Sequence, residues 1–354
     1  MHAYVFWRLA TLKAVRRRIP LRWQIIVAVL LAALYYIGRT YRHSGGGIVV
    51  GLFEIFTMHW TAALFLTTIV VLTADLVSGF GFFLPRVAGK LRGGALLTGL
   101  LLSILAIIQG LRAPVVSEHE IVLRGLPSEL DGAVVAVTSD THVGPMIGPE
   151  WLAERVEQLL DMKPDMILLL GDIFESHGNN YAELIPVLKS LHAPLGVWGV
   201  LGNHEYYGGL ERNIAAFEKA GVRLLRDEWA EIRPGLLLAG VDYISGRNRA
   251  GRGEKSFSRA LVGRPEGATV LLSHAPVRSA QAASAGVDMM LSGHTHGGQV
   301  WPFGYLVRQQ YPHLAGSYKV NDMTVLVTRG AGTWGPRMRL WWPGEILRIT
   351  LRCE

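Results

Sequence analysis

Three long apolar stretches occupy the first third of the sequence, and they constrain the fold more than any other feature. They are residues 23–38, 47–84 and 94–111. A helix needs about 20 mostly apolar residues to cross the hydrocarbon core of a bilayer. Because backbone polar groups find no water there, only structures that satisfy them internally can span it. Each stretch is therefore predicted to contain a transmembrane helix.

The second stretch is long for one span and short for two, and Glu54, His59 and Asp75 interrupt it. We interpret it as one span near residues 60–84, preceded by an interfacial or partly re-entrant segment at 47–58. Two spans are the alternative. The three polar residues are expected at an interface or bonded to a neighbouring helix, and an ion pathway is the other interpretation.

The basic residues bear on topology. Six Lys/Arg precede the first span and three lie between the last two, whereas the other two loops carry two each. Three spans would place nine of these charges on the cytoplasmic side against four, and four spans would place eight against five. No small-residue cleavage site follows residue 38, so an uncleaved, multi-pass anchor in the cell membrane is expected. Three spans place the rest of the chain outside the cytoplasm, with the cytoplasmic face as the alternative.

Charge and cysteine content narrow the classes of function. Residues 1–119 carry 12 Lys/Arg and 3 Asp/Glu, whereas the remaining 235 residues carry 23 and 25. The net charge of +7 therefore belongs to the membrane part, and no nucleic-acid partner is expected. Cys353 is the only cysteine, so the chain has no intramolecular disulfide and no thiolate metal site.

The rest of the sequence predicts an α/β domain. Residues 1–112 form the predicted membrane region, 113–120 a linker, and 121–354 the globular domain. In that domain short apolar runs alternate with amphipathic helical stretches, which predicts sheets covered on both faces. The runs are residues 132–138, 166–170, 196–201, 268–273 and 288–292. We expect a two-sheet core with helices outside, formed by a single domain.

Asp, Asn or His follows each of these five runs. In chain order these residues are Asp140 and His142, Asp172, Asn203 and His204, His274, and His294 and His296. Ligand sites in such sheets lie beyond the carboxyl ends of the strands. We therefore expect these side chains to meet at one edge of the sheets.

The residue types point to metal binding. Carboxylate, amide and imidazole ligands without sulfur suit Mn, Fe or Zn better than Mg or Ca. Even seven ligands among these eight residues exceed the needs of one tetrahedral ion, so two divalent ions are expected. Residues i and i+2 of an extended chain point to the same side, so both residues of the D-x-H pair and both of the H-x-H pair are expected to reach one centre. Glycines beside the motifs allow sharp turns.

The five motifs, in this order, resemble those of the calcineurin-like metallophosphoesterases: D-x-H, GD, GNH[ED], H and GHxH. The sequence GHTHGGQVWP and the loop at residues 330–337 are similar to a membrane-anchored bacterial subgroup of that family. That subgroup includes phosphodiesterases and a UDP-2,3-diacylglucosamine pyrophosphatase. The resemblance implies a four-layer αββα sandwich and a metal-dependent phosphoric ester or pyrophosphate hydrolase.

The resemblance also implies a role for each residue. The ligands of one ion would be Asp140, His142 and His296, the bridge Asp172, and the ligands of the other ion Asn203, His274 and His294. His204 would be the general acid or a donor to a phosphate oxygen. Hydrolysis would proceed by in-line attack of a metal-bridging hydroxide on phosphorus.

The membrane anchor bears on the substrate. A tethered domain meets lipid-linked phosphates at high effective concentration, so a phosphorylated lipid or nucleotide-linked lipid is expected, with the bilayer as a partner. Arg337 is a candidate for holding a substrate phosphate, and a solvated side chain is the alternative. Four tryptophans are expected either at the membrane interface or in the core: Trp301, Trp334, Trp341 and Trp342.

Two functions other than an enzyme remain open from the sequence. One is a transporter or sensor whose globular half binds phosphate and regulates; the other is a phosphate-binding module without turnover. An enzyme with a passive anchor should keep its activity when Glu54 and Asp75 become apolar, whereas a transporter should not. Hydrolysis of an aryl phosphodiester would exclude the binding module.

Overall fold

The computed structural model describes residues 1–41, 48–243 and 252–354. Within these ranges the chain forms two compact units. One unit consists of Met1–Leu111 and Gly335–Trp341, and the other of Arg112–Trp334 and Trp342–Glu354. A seven-residue segment from the C-terminal region thus belongs with the N-terminal helices.

The N-terminal unit is helical. Within the described residues its α-helices are α1 (His2–Ala10), α2 (Lys13–Arg18), α3 (Leu21–Tyr41), α4 (Ile48–Val77) and α5 (Ala88–Gly110). Three of them are long and apolar enough to cross a membrane, with candidate spans at Leu21–Gly38, Gly51–Val77 and Ala88–Gly110. The number of candidate spans agrees with the three that the sequence predicts.

The second apolar stretch has different bounds from those predicted. Helix α4 is continuous from Ile48 to Val77, so most of the expected lead-in at 47–58 is part of the spanning helix. Residue 47 lies outside the described residues. The helix ends before residue 84 because Gly79 and Gly81 follow it with φ of 56° and 96°, a conformation that favours glycine. The prediction of a span near 60–84 is therefore wrong in its limits.

Asp75 has charged partners within this unit. Its buried carboxylate lies 2.6 Å from Arg8 Nε and 2.7 Å from Arg92 Nε, and it accepts a hydrogen bond of 2.5 Å from the hydroxyl of Tyr4. Buried charges persist in proteins when they are paired and hydrogen-bonded. Asp75 therefore ties α1 and α5 to α4, which favours bonding between helices over an ion pathway.

The second unit contains two six-stranded mixed sheets. Its strands are β1 (Val115–Leu123), β2 (Val134–Thr138), β3 (Met166–Leu169), β4 (Val197–Gly199), β5 (Arg223–Leu224), β6 (Glu228–Arg233), β7 (Leu236–Val241), β8 (Ala268–Ser273), β9 (Met289–Ser292), β10 (Gly316–Val320), β11 (Met323–Val327) and β12 (Glu345–Cys353). One sheet has the order β1-β12-β2-β3-β4-β5 and the other β10-β11-β9-β8-β7-β6.

Within the described residues, the α-helices of this unit are α6 (Pro149–Asp161), α7 (Tyr181–Leu188), α8 (Asn203–Tyr207), α9 (Leu210–Lys219), α10 (Arg252–Leu261), α11 (Ser279–Ser284) and α12 (Gly304–Gln310). One apolar core, which includes Val137, Leu168, Leu238 and Leu291, lies between the two sheets. A second core packs the first sheet against α6, α7 and α9, and a third packs the other sheet against α10 and α11. The four-layer αββα sandwich is thus confirmed.

Strand β1 includes residues 115–120, which the sequence analysis assigns to a linker. It pairs in parallel with β12, from Val115 opposite Glu345 to Leu123 opposite Cys353. Because β1 is the edge strand of its sheet, it carries exposed polar residues and lacks the continuous apolar run that marks the inner strands.

The strand directions bring the motif loops to one edge of each sheet. Strands β2, β3 and β4 are parallel neighbours and end at Thr138, Leu169 and Gly199. In the other sheet β8 and β9 are parallel neighbours and end at Ser273 and Ser292. The five predicted motifs begin directly after these carboxyl ends.

Candidate metal centre

The predicted site residues converge. Three groups of side chains each place one ligand atom per residue within 4.8 Å of the others: Asp140, His142 and His296; His142, Asp172 and His204; and Asp172, His274 and His294. Asn203 joins the third group, since its Oδ1 lies 3.2 Å from His274 Nε2. The structure therefore brings together all eight residues that the motifs single out.

The backbone of the ligand loops is strained. Five of the seven predicted ligands have φ between 49° and 71°: Asp140, His142, Asp172, His294 and His296. Residues other than glycine seldom adopt this left-handed conformation, and such outliers cluster at functional sites. The chain is therefore not extended at either motif. The turned backbone sends the two imidazoles of the H-x-H pair to different ligand groups of the same centre.

Close approach requires glycine at two positions around the ligands. A Cβ on Gly293 would lie 2.1 Å from Ser139 Oγ and 2.3 Å from Asp140 Oδ2. A Cβ on Gly202 would lie 2.2 Å from Asp172 Oδ1. The missing side chains thus let neighbouring motif loops contact the buried carboxylates directly.

The first group surrounds Asp140. His142 Nε2 and His296 Nε2 are 3.1 Å apart, and the latter is 3.5 Å from Asp140 Oδ1. The carboxylate accepts hydrogen bonds from the backbone N–H of His294 at 3.0 Å and from Ser139 Oγ at 2.5 Å. Two imidazole nitrogens at this separation need a proton or a cation between them, since two lone pairs would repel.

Asp172 lies between the two sets of ligands. Its Oδ2 is 3.2 Å from His274 Nε2 and 3.9 Å from His142 Nε2, so it faces both groups. Oδ1 accepts a hydrogen bond of 2.8 Å from the backbone N–H of His204. His294 Nδ1 completes the second group at 3.2 Å from His274 Nε2. This is the position that a bridging ligand needs.

The electrostatics of the site favour bound cations. Burial raises the pKa of Asp172, but the charge and hydrogen bond of His274, together with the charges of His204 and His142, hold that pKa well below its usual range. Burial lowers the pKa of His274, yet the charge of Asp172 and the hydrogen bond between them raise it to about 10. Burial and the charge on His274 lower the pKa of His294 to about 3. The positive charge of the protonated His274 imidazole thus balances the negative charge of the buried Asp172 carboxylate, a role that a bound metal cation could take.

The donor set fits the expected ions. Nitrogen atoms about 2.1 Å from one ion lie roughly 3.0 to 3.4 Å apart in octahedral or tetrahedral geometry. The imidazole nitrogens of the two groups are separated by 3.1 and 3.2 Å. Together with the carboxylate and amide oxygens, this set can hold divalent metal ions.

Glu175 is a site residue that motif reasoning did not identify. Its Oε1 accepts a hydrogen bond of 2.6 Å from His204 Nδ1, and its Oε2 lies 3.5 Å from His142 Nδ1. Burial raises the pKa of Glu175, but the bonds to these two histidines hold it below its usual range. An ionised carboxylate therefore holds His204 by a hydrogen bond and faces His142, as carboxylates behind metal-binding histidines commonly do. The available signal was an acidic residue three positions after Asp172.

Glu205 and Tyr311 support the site from further out. The buried carboxylate of Glu205 accepts four backbone N–H bonds of 2.8 to 3.0 Å from residues 172–174 and 202, which fixes two motif loops to each other. The hydroxyl of Tyr311 lies 2.9 Å from His294 Nε2 and leaves Nδ1 to face His274. Tyr311 follows α12, and no sequence pattern marks it.

Two arginines of the C-terminal region have contacts of their own. Arg337 belongs to the segment Gly335–Trp341 of the helical unit, where its carbonyl oxygen would be 2.6 Å from a Cβ on Gly110. Its contact with a substrate phosphate stays a prediction. Arg329 forms an ion pair with Glu345, which gives its guanidinium a structural role.

Comparisons with known proteins agree with this geometry. The family model described as calcineurin-like phosphoesterase matches residues 133–298, a range that contains every predicted ligand. A metallophosphoesterase of Aquifex aeolicus is 35% identical over 221 residues, which cover 60% of this chain and 83% of the relative. One from Helicobacter pylori is 33% identical over 249 residues, which cover 69% of this chain and 65% of the relative. A transmembrane protein with metallophosphoesterase domain from Danio rerio is 31% identical over 271 residues, which cover 73% of this chain and 62% of the relative. The chain thus spans about two thirds of the length of the Helicobacter pylori and Danio rerio relatives.

Proposed function

Because this chain belongs to the calcineurin-like phosphoesterase family and is a metal-dependent phosphoester hydrolase, we propose that it is a binuclear enzyme acting on membrane lipids. The bond hydrolysed is a phosphodiester or pyrophosphate of a phosphorylated lipid or nucleotide-linked lipid. The observation that carries the binuclear assignment is the position of Asp172, which belongs to two of the three ligand groups.

The chain supplies a complete ligand set for two ions. Those assigned to one ion are Asp140, His142 and His296, and those assigned to the other are Asn203, His274 and His294, with Asp172 shared. When bound, two such ions supply Lewis acidity at the phosphate oxygens and lower the pKa of a coordinated water. Mn, Fe and Zn are the candidates.

His204 is the proposed acid. Its Nδ1 is held by Glu175 at 2.6 Å, so Nε2 is the ring nitrogen available to donate a proton to the leaving oxygen or a hydrogen bond to a phosphate oxygen. Ser176 Oγ lies 2.8 Å from the same Nδ1 and restrains the ring further. A group positioned in this way contributes about 10²–10⁴-fold to rate.

The helical unit supports a lipid substrate and a membrane location. Three candidate spans would hold the domain at a bilayer, where lipid phosphates reach high effective concentration. The charge bias of the loops favours three spans with the catalytic domain outside the cytoplasm. A topology reporter fused after Glu354 tests this: an extracytoplasmic signal supports it, and a cytoplasmic signal would contradict it and favour a cytosolic nucleotide-linked lipid.

Hydrolysis of bis(p-nitrophenyl) phosphate by the full chain in detergent tests the reaction class. We expect turnover when Mn²⁺ is supplied and its loss with EDTA. Asp172→Asn should lower turnover at least ~100-fold, since an amide is a poor bridge between two cations. Asp322→Asn is the matched control, because this aspartate is exposed. Metal-independent hydrolysis, or equal turnover in both variants, would contradict the proposal.

A further inference from the structure

The globular unit carries basic side chains after the fifth motif. Residues 289–334 contain three basic residues and one acidic residue. Arg329 is paired with Glu345, whereas Arg308, on α12, is exposed. An exposed basic side chain fits an anionic partner.

The same region exposes large apolar side chains. Trp301, Phe303, Tyr305 and Leu306, which we call the aromatic lip, are 41%, 36%, 66% and 55% exposed. The lip begins five residues after the metal-ligand candidate His296. Contiguous exposed apolar side chains in a soluble domain mark a surface that binds a partner.

The segments on the two sides of the lip make defined contacts within the globular unit. On one side the amide of Gln299 pairs with the backbone of Trp334: its Nε2 donates to the carbonyl at 3.0 Å and its Oε1 accepts from the N–H at 2.8 Å. On the other side Tyr311, after α12, contacts the metal-ligand candidate His294. A molecule bound at the lip would therefore lie near this ligand.

The next part of the C-terminal region belongs to the helical unit. In Gly335–Trp341, the backbone N–H of Arg339 donates to the carbonyl of Ala106 at 2.8 Å, and that of Trp341 donates to Gln109 Oε1 at 2.8 Å. Both acceptors lie near the carboxyl end of α5, where the third candidate span ends. The segment thus lies at the expected boundary of the bilayer.

Two exposed tryptophans flank this segment in the sequence. Trp334 immediately precedes it and Trp342 immediately follows it, and each is 52% exposed. Consecutive Cα atoms are 3.8 Å apart, so covalent connection alone keeps both residues near the end of the span. Tryptophan and tyrosine are enriched at that depth, where their rings contact headgroups.

We propose that the aromatic lip inserts into the interfacial region of a bilayer that contains anionic phospholipid, so that a lipid enters the metal centre without leaving the membrane. The inference rests on the proposed function for the identity of the substrate. The aromatic rings of the lip and its Leu306 side chain would lie at the depth of the headgroups and upper acyl chains, and Arg308 would contact lipid phosphate.

The depth of a fluorophore tests the proposal in the full chain. In a Cys353→Ser background, Leu306→Cys is labelled with a nitrobenzoxadiazole probe and the protein is reconstituted in vesicles of phosphatidylcholine and phosphatidylglycerol. Val262→Cys is the matched control, because Val262 is 69% exposed and lies directly after α10. We expect shallow nitroxide lipids to quench the probe at 306 and leave the probe at 262 unaffected.

Two results would overturn the proposal. Quenching of the probe at 306 by aqueous iodide alone, as at 262, would place the lip in water. Protection from both quenchers would show that protein covers it. Neither result depends on turnover, so hydrolysis of bis(p-nitrophenyl) phosphate by the wild type still tests the proposed function separately.

A rate comparison gives a second readout. For the double variant Tyr305→Ser/Leu306→Ser, the rate of hydrolysis of a phosphodiester lipid in vesicles is divided by the rate of hydrolysis of the aryl diester. We expect this ratio to fall about tenfold or more relative to the wild type, because the lost apolar contact weakens lipid entry. Val262→Ser should leave this ratio unchanged. An unchanged ratio in the double variant would contradict the proposal.

Discussion

Replacing Glu205 by glutamine should loosen the two loops that carry Asp172 and Asn203. The buried carboxylate of Glu205 uses both oxygens: Oε1 accepts from the N–H groups of Ile173 and Phe174, and Oε2 from those of Asp172 and Gly202. Glutamine keeps the size of the side chain but offers only one oxygen. In either orientation of the amide, two of the four N–H groups would face an NH₂ group.

The structure sets the expected magnitude. A buried donor without an acceptor costs about 1–3 kcal/mol, so two such groups cost about 2–6 kcal/mol. Because 1.4 kcal/mol corresponds to a factor of ten, local opening should become at least ~30-fold more frequent. The second ion should also bind more weakly, since Asp172 and Asn203 would lose their fixed separation.

Hydrogen–deuterium exchange of the full chain measures this opening directly. Peptides covering residues 171–176 should exchange faster in Glu205→Gln, whereas peptides from α6 should not change. Glu211→Gln, at an exposed position of α9, is the control. Wild-type exchange rates at residues 171–176 in Glu205→Gln would show that the four hydrogen bonds do not hold the loops, and would refute the reasoning.

Three other substitutions follow from the same contacts. Glu175→Gln removes the charge that orients His204 and should lower kcat about 10²-fold with little change in KM; steady-state kinetics with normal kcat would contradict this role. Gly202→Ala places a Cβ 2.2 Å from Asp172 Oδ1 and should therefore weaken the binding of one ion. Calorimetric titration with the metal measures this affinity, and an unchanged affinity would contradict a rigid site. Asp75→Asn leaves the buried Arg8 and the partly buried Arg92 without their counter-charge, at a cost of about 3–5 kcal/mol, and should lower the unfolding temperature. An unchanged temperature would mean that the ion pairs stabilise nothing.

The inner strands and the convergence of the candidate ligands could be predicted from the sequence because their signals are local. A strand covered on both faces is a continuous apolar run, and each motif follows such a run directly, as Asp140 follows β2. Parallel strands joined by helices are expected to be neighbours in a sheet, so their carboxyl ends converge at one edge.

The remaining features depend on contacts that no local pattern encodes. Strand β1 was missed because an edge strand that pairs with the far end of the chain need not be apolar. The left-handed backbone at His294 and His296 cannot be read from the H-x-H spacing. Tyr311 reaches His294 from a different segment, and only the folded chain reveals that contact.

The number of ions bound per chain tests the central claim most directly. Elemental analysis of the purified full chain, wild type and Asp172→Asn, would be read together with hydrolysis of bis(p-nitrophenyl) phosphate by the same samples. We predict about two ions per wild-type chain, and in the variant at most one ion together with the loss of hydrolysis. A fully active wild type with a single ion, or an Asp172→Asn variant that keeps both ions and wild-type turnover, would contradict the binuclear site.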